Sequence, residues 1–169
     1  MADNNLDLVY DNFNAIIKRL KEADELSTSS LVETTLSKLI IVSAASFFET
    51  DIKEAIYSLS PDLKSRSLVE KFLDRNFWNL FDSKFESMNR FLGNFGDEFK
   101  VSFQKSIRDD KNLKDSETSF LRLLSLRGEI VHGNFLSYSV DVTYEESYEI
   151  YKKSFVYVEH LKNRIVEKT

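Results

Sequence analysis

With 169 residues, 42% hydrophobic and 13% aromatic, fourteen of them Phe, the chain has the composition of a folded protein and not of a disordered one. A single domain of this length buries about two thirds of its unfolded surface. The absence of cysteine excludes disulfides, thiolate nucleophiles and Cys-based zinc sites, and the net charge of −5 argues against a protein that coats nucleic acid without regard to sequence. That charge is uneven: residues 1–59 carry five Lys/Arg against ten Asp/Glu, whereas residues 60–169 balance at eighteen of each, which leaves room for a local cationic face.

In chain order the pattern is helical, with four Gly and one Pro to interrupt it and no internal repeat. The spacing predicts a first helix over about residues 6–25, with Leu8, Phe13, Ile16, Ile17 and Leu20 on one stripe. The run Ser27, Thr28, Ser29, Ser30 is expected to close it and to cap a second helix over about residues 31–59, which stops before Pro61. Leu36, Leu39, Ile40, Ser43, Ala44, Phe47, Ile52, Ala55 and Ile56 recur there at helical spacing. Shorter helices are predicted over residues 67–74 and 77–92, the second carrying Phe77, Phe81, Phe85, Met88 and Leu92 and ending at Gly93.

Phe99, Phe103 and Ile107, four apart, mark a helix over about residues 97–108, followed by a polar loop over 109–116. Next comes a helix over about 117–131, with Phe120, Leu121, Leu123, Leu124, Leu126 and Ile130, closed by His132, Gly133 and Asn134. Gly133 suits a positive φ just past the helix end. Leu136, Tyr138, Val140 and Val142 then alternate with polar residues, which predicts an extended segment, a short ribbon or a loop lying on the core. Thr143 with Glu146 three residues on is a capping-box signature opening a last helix to about residue 166, with Tyr148, Tyr151, Phe155, Val158 and Leu161 facing inward. The expected fold is all-α, a single bundle of five to seven helices spanning residues 1–169. Residues 1–12 lack a basic stretch followed by an apolar run, and no window approaches eighteen uninterrupted apolar residues, so a soluble cytoplasmic protein is expected.

Chemistry concentrates at one place. Arg127 and His132 lie five positions apart at the end of the penultimate long helix, with Gly128 inside the motif and Gly133 after it. A helix-terminal His alone also suits a structural role against the last carbonyls and the negative end of the dipole. The other His, His160, has no comparable setting and is expected at the surface or rim. Residues five apart on a helix point about 140° from each other, so one copy of the chain does not focus both side chains on a single atom.

The Arg-x-x-x-x-His spacing, its place in an all-helical chain of this size, the Gly after the His, the extended connector and the capped final helix together resemble HEPN domains. The nearest likeness is to the RiboL-PSP-HEPN type of prokaryotic defence and toxin–antitoxin systems. The resemblance implies a homodimer whose two motif helices line one cleft, and metal-independent cleavage of RNA by Arg127 and His132 without a cofactor. Such cleavage leaves 2′,3′-cyclic phosphate and 5′-OH ends and spares DNA. An antitoxin or defence-system partner protein is a further implication.

Ser46-Phe47-Phe48-Glu49-Thr50-Asp51-Ile52 is similar to the acidic element that often follows aromatics on the second helix of this branch. Glu49 shares a face with Ala45, Ile52 and Ile56, so its carboxylate is expected to be partly buried and to need a cation, for which Arg127 is a candidate. One departure stands out: HEPN motifs usually place a polar residue, commonly Asn, after the Arg, where this chain has Gly128. Gly128 leaves space for another helix or a substrate to approach the imidazole, or else marks a site that has lost its chemistry, which opens the alternative of a non-catalytic dimerisation or protein-binding module. A third reading is an unrelated helical adaptor in which the motif is coincidence.

Lys100, Lys105, Arg108, Lys111 and Lys114 form a basic stretch that reads as a solvated helix end or as a weak RNA track. Tyr144, Tyr148, Tyr151 and Tyr157 are better placed for a core or dimer seam than for stacking bases. There is no Gly-rich phosphate loop, no G-x-S-x-G or H-E-x-x-H, and two isolated His give no metal-ligand spacing.

Overall fold

The computed structural model describes residues 5–60, 62–80 and 85–167, and these form seven helices and no strand. They are α1 (Asn5–Glu22), α2 (Leu26–Tyr57), α3 (Leu63–Leu80), α4 (Phe85–Gly93), α5 (Asp97–Asp109), α6 (Lys111–His132) and α7 (Tyr144–Val166).

The core is a three-helix sandwich of α2, α6 and α7. Leu36, Ile40, Ala44, Phe48 and Ile52 recur every four residues along α2 and are all buried. Small side chains let α7 approach α2 closely. Buried Ser37 and Ser147 place their hydroxyls 2.7 Å apart, and Lys162 of α7 pairs with Asp51 of α2 at 2.7 Å. These two contacts rise together along both helices, so α2 and α7 run parallel. α6 runs against both: Phe48 meets Phe120 while Ile41 clusters with Leu126 and Ile130, and Phe120 stacks on Tyr157. α2 also has the length and apolar character to cross a membrane, and here that character is spent on being the central helix of the bundle.

Several sequence expectations shift. α1 ends at Glu22, and the side it buries is that of Leu6, Val9, Tyr10, Phe13 and Ile17, whereas Leu8 and Ile16 of the expected stripe are exposed. α2 begins at Leu26, so the run Ser27 to Ser30 is helical and not a cap; Ser29 is buried and donates to Glu33 at 3.1 Å, and Thr34 and Thr35 return hydrogen bonds to carbonyls four residues back. Pro61 lies outside the described residues. Phe77 belongs to α3, because it continues the buried position of Leu73 four residues earlier; Met88 and Leu92 are buried on α4, and Phe81 lies outside the described residues.

The loop expected over residues 109–116 is a single residue. Asp110 ends α5 and caps α6, its carboxylate accepting from Asn112 N at 2.8 Å and Leu113 N at 3.2 Å, so α6 gains two turns at its start. The alternating segment after α6 forms turns and bends, and Tyr138, Val140 and Val142 lie on the small cluster of Ile41, Leu126 and Ile130. At α7 the capping box forms as its residues predict: Thr143 Oγ1 accepts from Glu146 N and Glu146 returns to Thr143 N.

Candidate active site

α6 carries Arg127 and His132. Its inner stripe, Phe120, Leu123, Leu126 and Ile130, is fixed against α2 and α7, and this orientation leaves Arg127 half-buried and turns Val131 and His132 to solvent. The five-residue separation sets the two side chains about 7.5 Å apart along the axis and about 140° around it.

The helix end is closed differently from expectation. Gly133 has φ −85°, and the left-handed residue is Asn134, at φ 64°. Asn adopts that region more readily than most residues do. The Asn134 carbonyl accepts from Ser137 N at 3.1 Å and Tyr138 N at 2.9 Å, and its side-chain oxygen accepts from Leu136 N at 3.2 Å. Gly133 is required for another reason. A Cβ there would lie 2.7 Å from the Glu129 carbonyl oxygen and 2.8 Å from the Tyr138 ring, so only glycine lets the Tyr138 ring lie against the helix end. Tyr138 then donates its phenol proton to Glu129; that hydrogen bond first, and burial second, raise the phenol above its ordinary value. Gly128 has open space where a Cβ would project.

Two contacts at the end of α6 and in the loop after His132 are not legible in the sequence. Glu129 and Tyr138 meet across nine residues, a separation that only the turn geometry makes short. Lys38, from α2, is buried and donates to the Phe135 carbonyl at 2.8 Å; lysines on helices are ordinarily exposed, so nothing local marks it. Glu49 is half-buried as expected, and Lys53, one turn on, places its ammonium 3.2 Å from that carboxylate. Lys53 also stands over the Phe77 ring and reaches Asp74.

Lys100, Lys105 and Arg108 lie on α5 and Lys111 and Lys114 at the start of α6, around the Asp110 elbow. From Lys111 to His132 is about 31 Å of helix, so within one protomer the basic stretch and the motif are not brought together. His160 lies near the elbow, its ring 2.9 Å from Ser106 Oγ and against Phe103. Burial, and then Arg164, push its pKa below the usual imidazole value. The tyrosines are structural: Tyr148 stacks on Tyr10 and donates to Asp7, Tyr144 reaches Asn14, and Tyr151 and Tyr157 are buried against Phe48 and Phe120. Among the described residues no three His, Asp or Glu side chains come together to hold a metal ion.

The chain is thus an all-helical bundle with an Arg and an exposed His at the end of its penultimate helix, which a short built loop closes. The chain belongs to the RiboL-PSP-HEPN family, whose profile matches residues 7–167. No curated protein and no solved structure matches it. Membership points to an RNase-type or nucleotide-binding role.

Proposed function

We propose that this protein is a metal-independent RNA endonuclease that works as a homodimer, with Arg127 and His132 as the reacting pair. The observation that carries the reading is His132: an imidazole exposed at the end of α6, five residues after an Arg, in a chain of this family. Because the two side chains diverge on one helix, two copies are needed to line one cleft. Exposed Val131, Phe135 and Leu136 give the surface beside His132 an apolar character suited to a second copy.

In the reaction, a His132 imidazole takes the proton of the RNA 2′-OH as the 2′-oxygen bonds to phosphorus. Arg127 stabilises the charge on the phosphoryl oxygens. The bond from phosphorus to the 5′-oxygen breaks, and an imidazolium returns a proton to that oxygen, leaving a 2′,3′-cyclic phosphate and a 5′-OH. DNA lacks the attacking hydroxyl. Unrestrained cleavage of this kind suits a toxin or defence effector held in check by a partner protein, in the cytoplasm where its RNA is found.

Gly128, in a place where the family usually has a polar residue, favours a second reading: a non-catalytic HEPN module that dimerises or binds a protein. The test is incubation of wild type and His132→Ala with mixed tRNA, mRNA and matching DNA in EDTA, with analysis of fragment ends. Cleavage of RNA alone, with cyclic-phosphate ends and loss in the variant, is expected. Intact RNA throughout would turn the reading to the binding module.

A further inference from the structure

Lys38 is the least expected residue in the bundle. It is 5% exposed, and among the described residues its ammonium has two partners, the Phe135 carbonyl at 2.8 Å and the face of the Phe135 ring at 5.6 Å. Among the described residues no carboxylate lies within ion-pair distance of it. An ammonium has three protons to donate, and a buried charge without an anion is costly to keep. Lysine on α2 therefore calls for a reason beyond filling space.

Its position supplies one. Lys38 and Ile41 share a face of α2, and Ile41 packs on Leu126 and Ile130 in the last turns of α6. The amine thus lies on the side of α2 that faces α6, against the loop that follows the end of α6. The carbonyl it holds belongs to the residue three after His132. The loop has its own internal fastenings: Asn134 gathers the backbone N–H groups of Leu136, Ser137 and Tyr138, and Tyr138 rests against Gly133. Lys38 joins the tip of this unit to the central helix. His132 is exposed, so no packing of its own sets its direction, and the backbone of the last turn must do so.

We infer that Lys38 is a positioning residue for His132: by holding the Phe135 carbonyl it locks the loop that closes α6, and through that loop the direction of the imidazole. The inference rests on the nuclease reading only for its consequence on rate; the structural link stands apart from it.

The chain has two His, so the imidazole Cε1–H resonances of His132 and His160 are two lines, assigned with His132→Gln and His160→Gln. In Lys38→Met, which keeps length and removes the charge, the His132 line is expected to shift or broaden while the His160 line stays. RNA cleavage should lose roughly ten- to a hundredfold in kcat with KM unchanged. Lys38→Arg, which keeps charge and donor, should restore most of both. Asn134→Ala loosens the same loop from the surface without touching the core, and there the Lys38 ammonium signal and the His132 line should move together. An unmoved His132 line in Lys38→Met, or a His132 line that moves in Asn134→Ala while the Lys38 signal does not, overturns the inference. If Lys38→Met does not fold, the Asn134→Ala pair of signals decides alone. If the wild type cuts no RNA, the nuclease reading fails while the two spectra still decide the role of Lys38.

Discussion

At the scale of single residues, His132 and Arg127 are the proposed reacting side chains. Replacing His132 by Ala is expected to cost roughly a hundred- to ten-thousandfold in RNA cleavage, and Arg127→Ala a hundred- to a thousandfold, by analogy with general-base and charge-stabilising groups elsewhere. Both variants should keep the wild-type far-UV circular dichroism, since His132 is exposed and Arg127 half-buried; a variant that melts instead would make the residue structural. His160 behaves in the opposite sense. Its folded pKa lies below the ordinary 6.5 through burial and then Arg164, so the folded protein binds fewer protons there than the unfolded chain. Its contribution is present above pH 6.5 and is lost as the pH falls through that value toward the folded one. Thermal melts of wild type and His160→Gln between about pH 7 and pH 5 should therefore diverge, with the wild type losing more on acidification. Parallel curves would remove His160 from the acid response.

At the scale of elements, the two glycines of the motif predict opposite outcomes. A Cβ at Gly128 meets open space and Ala is the better helix former, so Gly128→Ala should stabilise by about 1 kcal/mol and raise the melting temperature by several degrees. A gain in stability coupled to loss of cleavage would show that the missing side chain serves the approach of substrate or partner helix. Gly133→Ala has no such space: the added carbon would meet the Glu129 carbonyl and the Tyr138 ring, both at under 3 Å, and something must move. That variant should free the Tyr138 phenol from Glu129, visible as a fall in its spectroscopically titrated pKa toward the ordinary tyrosine value. An unchanged titration would mean the loop accommodates the methyl group elsewhere. Helix ends were legible where a side chain caps locally, as at Thr143 and Glu146. They are not legible where a polar residue resembles a cap: Ser27 to Ser30 are helical, and the loop expected over residues 109–116 is Asp110 alone.

At the scale of the whole molecule, the proposed cleft needs two copies. Leu136 is 88% exposed next to Phe135 and Val131. Leu136→Asp places a charge in that patch without disturbing the core, so sedimentation should report a monomer for the variant and twice the chain mass for the wild type, with cleavage lost alongside. A wild type that sediments as a monomer while still cutting RNA would sink the composite-cleft arrangement.

The amino-acid sequence by itself determined the class of fold, a range of five to seven helices and the place of the motif at the end of the penultimate one. All three follow from apolar spacing along one chain and from turn and cap residues acting over four positions or fewer. Only the tertiary structure decided which face each helix buries, as with Leu8 and Ile16 on α1, because the stripe that wins depends on the neighbour it meets. The same holds for the surroundings of His132. Lys38 lies 97 residues from the carbonyl it holds, and Tyr138 reaches Glu129 only because Asn134 turns the chain; elsewhere on α2, Lys53 stands with Glu49 and above Phe77. Hydrogen bonds and ion pairs form between groups brought within a few ångströms, and spacing along a chain does not reveal which distant groups those are.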